Sequence, residues 1–557
     1  MADFEVKRFF FQNTDKFSQL CSGKEKELMT MKRFTCIVLL LPVLLLGACG
    51  RELVPEPTSS RTPEKGLSHG MIQLGEKLDD PYTVENMQSA LAKVYPTKAD
   101  RIDIVATDLY VRFLPRDDAE LKRLQALDLY LMDHPMDYRI VQEGDYSQDP
   151  EVGEDAITWQ YAVVPRDFKF PPAIRYELLD ECYLSEHDPV TRSMEDDIDW
   201  SLVEREAFRL TGNEDLWTPV TKGSAAAPEG RVTSEDPGFS GGKPFGVAGV
   251  KVVCNVFVKV GSCYTDRDGY YKMEKSFSGR PRYRLVFSNE KGFSIGLNFI
   301  VVPASVSTLG KADPEGVDVH VTPEVGDALW RRCVVNNAAY DYYSRCNEAD
   351  LDILPPPANL RLWIFPDITS SSACMLHHGA FLDNALIKSY LGPWLALIKV
   401  FLPDITIGTK EQDYEGIYRA VVHELSHASH YAQVGNEYWT PYINYVIASF
   451  VTEGGKAYGT GDGDGAGYCE VSESWAYFMD ATLRKDRYGY SLPLYANTFW
   501  FKPDILSYLY KRGMSRSEIY RALKPEVTGI DDLKEELITL YPERESELVQ
   551  CFRNYGK

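Results

Sequence analysis

The stretch VVHELSHASHY, residues 421–431, limits what this chain can fold into more than any other feature of the sequence. It places three of the nine histidines of the 557-residue chain within eight positions. The surrounding residues 413–433 repeat apolar side chains at helical spacing, with Asp413 as a cap before the first turn and Gly435 as a stop after the last. The pattern therefore predicts one largely buried helix that carries these histidines.

Two of the histidines, His423 and His427, lie four residues apart, and Glu424 directly follows the first. Residues four apart stand above one another on a helix, so both imidazoles can bind one ion while Glu424 reaches a water molecule on that ion. With nine histidines in the chain, random placement produces this HExxH pattern only about 0.02 times. The pattern predicts a zinc site in which Glu424 acts as general base and then as general acid.

The third histidine of the stretch, His430, lies on the same stripe of the helix. A metal held between His423 and His427 would sit roughly 7 Å from the level of His430, whereas Zn–N bonds are about 2.0–2.1 Å long. In the longer HExxHxxGxxH pattern a third histidine would stand where this chain has Gln433. We therefore expect His430 to line the cleft or to support the ligands, and the third ligand to come from later in the chain.

The best candidate for the third ligand is Glu473, in the segment YCEVSESWAYFMD. This segment is predicted to be helical, and the small residues beside Glu473 allow a close approach between helices. Its ESWA sequence is similar to the E-x-W-A form of some bacterial gluzincins, metallopeptidases in which a glutamate on a second helix completes a His-His-Glu zinc site. The resemblance implies that His423, His427 and Glu473 bind zinc, and that the chain is a zinc metallopeptidase cleaving peptide bonds.

Other acidic residues compete with Glu473 for this role. Glu453 is the main alternative, because TEGGKA faintly resembles the N-E-G-x-A pattern of aminopeptidase-type gluzincins, although Thr452 replaces the asparagine and the glycines weaken a helix. Glu470 and Asp480 are predicted to lie on a solvated face.

A calcium loop is a further alternative in the same region. Four residues match positions 1, 3, 6 and 12 of an EF-hand loop, namely Asp462, Asp464, Gly467 and Glu473, but Ala466 at position 5 offers no side-chain oxygen. We therefore interpret this Gly-rich stretch as a flexible loop near the cleft.

The sequence near the start predicts export. A basic pair precedes thirteen apolar positions, 34–46, which suit a signal peptide and fall short of the ~20 residues needed to span a bilayer. The following LGAC resembles the lipobox of bacterial lipoproteins, which implies cleavage before Cys49 and its acylation; an ordinary signal peptide is the alternative. We expect 1–48 to be a leader and signal peptide, 49–79 a tether, and the protein to be lipid-anchored in the cell envelope, at the outer membrane.

The remaining chain predicts a multidomain α+β protein. Capped helices alternate with strands over 80–190, which indicates a small α+β domain, and a Gly/Ser/Pro-rich linker region follows at 191–240. Residues 241–305 alternate at period two, and their GVKV and TDRDGYY sequences resemble the carboxypeptidase-regulatory module, which implies a β-sandwich without catalytic function. Residues 310–557 are predicted to form a mainly helical, zincin-like metallopeptidase domain. Within it, LRLWIFP is predicted as the edge strand that binds an extended substrate or as a core strand.

Charge limits the partners. The formal net charge of −22 repels phosphate backbones and disfavours nucleic acid, so the expected partners are a peptide or protein substrate and, through the lipid anchor, a membrane. The alternative function is a non-catalytic surface protein that captures nutrients with a structural or vestigial zincin domain. Glu424 weighs against it, since a structural site needs no base. The oligomeric state and the substrate are not set by the sequence.

Overall fold

The chain combines helices with antiparallel sheets, which confirms the α+β class. The computed structural model describes residues 71–99, 102–127, 129–144, 146–153, 156–188, 198–217, 225–239, 241–296, 306–324, 327–349, 351–366, 371–373, 404–452, 458–496 and 498–557. The leader, Cys49 and the alternative ligand Glu453 lie outside these residues. In the described part of the chain, no helix is both long enough and apolar enough to cross a membrane.

The first region is built around helix α1 and a three-stranded antiparallel sheet in the order β4-β2-β5. The α1 helix begins as the sequence indicates, because the Thr83 side chain caps it by accepting a hydrogen bond from the Asn86 N–H at 3.2 Å. The elements of this region are β1 (Gln73–Lys77), α1 (Val84–Val94), α2 (Pro96–Ala99), β2 (Asp108–Leu114), α3 (Asp118–Gln125), β3 (Tyr138–Gln142), β4 (Gln160–Pro165), β5 (Arg175–Cys182) and α4 (Trp200–Leu210).

The second region contains two sheets, one in the order β13-β11-β8-β9 and one in the order β10-β6-β14 with β7 beside β6. Its strands are β6 (Glu229–Ser234), β7 (Phe245–Gly246), β8 (Lys251–Val256), β9 (Lys259–Tyr264), β10 (Tyr270–Lys272), β11 (Arg282–Val286), β12 (Ser294–Gly296), β13 (Val306–Lys311) and β14 (Val319–Val321). The sheets extend beyond the predicted bounds of 241–305. The β6 strand lies within the predicted linker and pairs in parallel with β14, a partner too distant in sequence for a local pattern to indicate.

The third region is mainly helical. Its elements are α5 (Asp327–Arg345), β15 (Arg361–Phe365), β16 (Ile405–Gly408), α6 (Tyr414–Thr452), α7 (Ala466–Tyr488), α8 (Asp504–Lys511), α9 (Arg516–Arg521), α10 (Ile530–Leu540) and α11 (Glu545–Asn554). The β15 strand, LRLWIFP in the sequence, lies between β12 and β16 in a parallel sheet. The edge-strand interpretation of this segment is therefore wrong, because both of its edges are already paired.

The first stretch of the histidine-bearing helix, α6, begins and ends as predicted. The Asp413 carboxylate accepts a hydrogen bond from the Gly416 N–H at 2.8 Å and caps the first turn. Gly435 has a φ of 75° and interrupts the helix, as the stop signal predicts. A second helical stretch continues to Thr452 and was not predicted.

One hydrophobic core contains buried residues from all three regions, from Tyr82 to Phe552, and the described residues belong to one compact unit. The seven described cysteines carry free thiols.

Arg487, near the end of α7, connects the third region to the second. Its guanidinium donates two hydrogen bonds to Asp236, at 3.2 and 3.0 Å. Five aromatic rings surround this guanidinium: Phe239, Phe245, Tyr414, Tyr418 and Tyr488. We call this arrangement the Arg487 pocket.

Candidate metal centre

The α6 and α7 helices pack against each other in opposite directions. Near the start of α6, Arg419 forms a two-pronged ion pair with Asp480, at 2.9 and 2.8 Å. About three turns later, His430 lies beside Ser472, which is closer to the start of α7. The faces between these contacts therefore meet, and each helix contributes side chains to the space between them.

Three side chains meet in this space: His423, His427 and Glu473. The His423 Nε2 atom lies 3.4 Å from Glu473 Oε2, and the His427 Nε2 atom lies 3.6 Å from Glu473 Oε1. One ligand atom from each residue lies within 4.8 Å of the others, and no other group of His, Cys, Asp or Glu in the described residues is clustered in this way. The three residues predicted as ligands are therefore neighbours in the structure.

The spacing allows the three side chains to share one ion. Each imidazole faces a different oxygen of the Glu473 carboxylate, and the ligand atoms lie within 4.8 Å of one another. Glu473 is only 2% exposed, and its Oε2 has no hydrogen-bond partner of ordinary geometry among the described residues. A buried carboxylate facing two imidazole nitrogens needs a proton or a cation between them. The residues present thus fit a divalent metal.

The charge of the Glu473 carboxyl group also suits a metal ligand. Burial acts to raise the pKa of its carboxyl group, but the neighbouring His427 and His423 more than offset burial and hold the pKa well below its usual range. The side chain is therefore an anion, the form that binds a metal.

Glu424 stands apart from the three ligands. It is 4% exposed, and burial raises the pKa of its carboxyl group to about 8, against the opposing effect of His423. The Ala373 N–H donates a hydrogen bond to this carboxyl group. Its Oε2 has no partner among the described residues. Glu424 is therefore a buried carboxyl group beside the ligands, with one oxygen free to exchange a proton.

The segment that supplies Ala373 reaches α6 through a short backbone pairing. Ser372 pairs with Thr406 of β16 through two backbone hydrogen bonds of 2.9 Å, and this pairing brings Ala373 to α6. No signal in the sequence marks this segment, because two isolated backbone bonds leave no periodic pattern.

Tyr442 is the second residue that the sequence did not reveal. It lies in the part of α6 beyond Gly435, and its hydroxyl donates a hydrogen bond to Glu473 Oε1 at 2.8 Å. Its ring lies 5.8 Å from that of His427, and the Trp439 ring lies 6.0 Å from His427 on the same helical stretch. Tyr442 therefore orients the predicted glutamate ligand.

Removing this hydroxyl is expected to weaken zinc binding. Groups that orient metal ligands typically contribute about 10–100-fold to metal affinity, so we expect Tyr442→Phe to lower the affinity by this factor. The measurement is competition for zinc with a chelating dye. Tyr431→Phe is the matched control, because the Tyr431 hydroxyl lies on the same helix but donates to Asn436. Equal zinc affinity in both variants would show that Tyr442 does not orient the ligand.

His430 lies outside the cluster of ligand atoms. It is fully buried, its Nδ1 lies 3.3 Å from the Ser472 hydroxyl, and its ring packs against Tyr438 and Trp439. Burial, assisted by His427, lowers the pKa of His430 to about 3, so the ring is neutral near pH 7.

The prediction that Glu470 and Asp480 lie on a solvated face is wrong. Asp480 is buried and pairs with Arg419, and Glu470 is buried and pairs with Lys557. The prediction was wrong because each counter-charge lies far away in the sequence. Asp462 and Asp464 are exposed and do not cluster with Glu473 in the described part of the chain.

Comparisons with known proteins do not assign the chain to a family. No protein-family model matches the chain, and neither a curated protein nor a solved structure matches it.

Proposed function

We propose that this chain is a lipid-anchored zinc metallohydrolase, and specifically a peptidase of the gluzincin type. The observation that carries the proposal is the meeting of His423, His427 and Glu473, whose ligand atoms lie within 4.8 Å of one another, with the buried Glu424 beside them. A structural zinc site needs a fourth ligand and no base, whereas a catalytic site keeps one position open and places a base next to it. The donor set of two imidazoles and one carboxylate suits zinc.

The roles of the residues follow from their positions. A bound zinc ion would acidify a water molecule and polarise the substrate carbonyl. His423, His427 and Glu473 would hold the ion. Glu424 would take a proton from the attacking water and deliver it to the leaving amine, and its buried position directly after the ligand His423 places it for both transfers. The Ala373 N–H would keep the Glu424 carboxyl group in place during both transfers.

The proposal includes the anchor and the domains before residue 310. Cys49 would carry the lipid and 49–70 would act as a tether, shorter than the predicted 49–79 because β1 (Gln73–Lys77) pairs with β3 in the first region. The sheet-rich second region would form the β-sandwich that spaces the zincin-like region from the membrane. The lipid and the tether rest on the sequence alone. Wide hydrophobic packing between the regions supports a rigid spacer rather than freely moving modules.

Removing the metal tests the proposal. We expect the purified chain to cleave a mixture of unstructured peptides, to lose at least about tenfold of this activity with a zinc chelator, and to regain it with one equivalent of zinc. The measurement is mass spectrometry of the products together with metal analysis. Cleavage that survives full removal of the metal would contradict a metallopeptidase. Full zinc occupancy without any cleavage would favour the non-catalytic binding protein.

A further inference from the structure

A cluster of aromatic side chains begins directly at the candidate metal centre. It is formed by one residue before α7, one on α7, and three from the segment 489–503 that follows α7. We call it the aromatic wall, and its members are Tyr458, Tyr477, Tyr495, Phe499 and Phe501.

Tyr477 links the wall to the ligands. It lies four residues after Glu473 on α7 and therefore on the same face of the helix. Its ring centroid lies 4.7 Å from that of His423 on one side and 4.6 Å from that of Phe499 on the other. A group bound against the wall would therefore lie next to a group bound at the metal.

The other rings continue this surface. Phe499 and Phe501 are stacked, with centroids 4.7 Å apart and planes within 4° of each other. Tyr495 lies 5.8 Å from Phe499, and Tyr458 lies 5.3 Å from Phe501. The Tyr458 and Tyr477 hydroxyls lie 3.2 Å apart and bond to each other. The surface is therefore mainly aromatic carbon.

The segment after α7 that carries Tyr495, Phe499 and Phe501 is held in place by hydrogen bonds. The Asp504 carboxylate accepts hydrogen bonds from the backbone N–H groups of Tyr495, at 3.1 Å, and Ala496, at 2.8 Å. The Trp500 indole donates to the Tyr458 carbonyl at 2.7 Å. Anchored loops of this kind hold a fixed shape without helix or strand, which is typical of binding loops.

Core packing does not account for the wall. Phe501 is buried, but Tyr477, Tyr495 and Phe499 are only half-buried, and the neighbouring Leu494 is 76% exposed. Large rings left partly in water beside a reactive site are typical of a pocket that an apolar group completes.

We infer that the aromatic wall binds an aromatic or large aliphatic side chain of a peptide substrate, next to the bond that is cleaved. The inference rests on the proposed function, because it places the scissile bond at His423, His427 and Glu473. It goes beyond that function by naming the substrate class. The Tyr458 and Tyr477 hydroxyls bond to each other, so Tyr495 supplies the remaining hydroxyl and ring carbon dominates the wall, which favours an apolar side chain over a sugar.

Binding can be measured without turnover. In the Glu424→Gln background, we expect a peptide with phenylalanine at its variable position to bind about tenfold more tightly than the same peptide with alanine, measured by calorimetry. Phe499→Ala is expected to reduce this preference to less than about threefold, with unchanged zinc content and unchanged affinity for the alanine peptide. Phe499→Leu covers the case that Phe499→Ala misfolds, and because it removes the aromatic ring it is expected to lower the preference to less than about fivefold.

Tyr490→Ala is the matched control. Tyr490 lies in the same segment and is exposed, but its ring stacks on Tyr488, and in the described part of the chain it has no ring contact with the wall. This variant is expected to keep the preference. Equal binding of both peptides, no binding of either, or a preference that survives in both Phe499 variants would overturn the inference. Failure of the proposed function would look different. The Glu424→Gln protein would still prefer the phenylalanine peptide, but the parent protein would cleave no peptide.

Discussion

Glu424→Gln is expected to lower peptide hydrolysis by about 10²–10⁴-fold while the zinc content stays the same. Glutamine has the size and shape of glutamate and can still accept the Ala373 N–H, but it cannot take a proton from water. Glu424 is not among the clustered ligand atoms, so the metal should remain bound. The measurement is kcat/KM on a cleaved peptide, with metal analysis of the same preparation.

Glu415→Gln provides the matched control for this experiment. Glu415 lies on the same helix and pairs with Arg484, about two turns before the ligands, so its replacement should leave hydrolysis within about twofold of the parent. If Glu424→Gln hydrolysed peptides as fast as the parent, Glu424 would not be the base. If it lost its zinc, its effect on hydrolysis would have to be assigned to the metal.

Glu473→Ala is expected to abolish stoichiometric zinc binding, and hydrolysis with it. The carboxylate is one of three ligands, and its loss leaves two imidazoles without the negative charge that balances a divalent cation in a buried site. We expect zinc affinity to fall by more than about 100-fold, because an orienting group alone contributes up to that factor. The measurement is metal content after dialysis against a buffered zinc concentration.

Glu453→Ala is the informative partner of this variant, because Glu453 is the alternative ligand from the sequence and lies outside the described residues. We expect it to retain one zinc ion per chain. Zinc loss in Glu453→Ala, together with retention in Glu473→Ala, would move the ligand assignment to Glu453.

The sequence was sufficient for the parts of the site that follow helical periodicity. The cap at Asp413, the stop at Gly435 and the four-residue spacing of His423 and His427 are local features, so the helix and its histidines could be predicted. The nearness of Glu473 to the histidines agrees with the choice made from its small neighbours, since small side chains let two helices approach closely.

The remaining features depend on contacts between residues that are distant in sequence. Tyr442 follows a break whose geometry redirects the helix, and Ala373 is positioned by two backbone bonds to a short strand. The burial of Glu470 depends on Lys557, at the far end of the chain. The same reason explains why β6 was assigned to a linker, because its parallel partner β14 follows about ninety residues later.

The Arg487 pocket has a consequence for how the regions share stability. The α7 helix carries Glu473 in its first half and Arg487 near its end, where the guanidinium is neutralised by Asp236 of the sheet-rich region. A ligand that binds only the folded state stabilises everything that unfolds together with its site. Zinc held by α7 would therefore raise the free energy of unfolding of the distant sheets. The folded sheets would in turn raise the affinity for zinc. Zinc affinity and the stability of the second region would then be linked in one thermodynamic cycle.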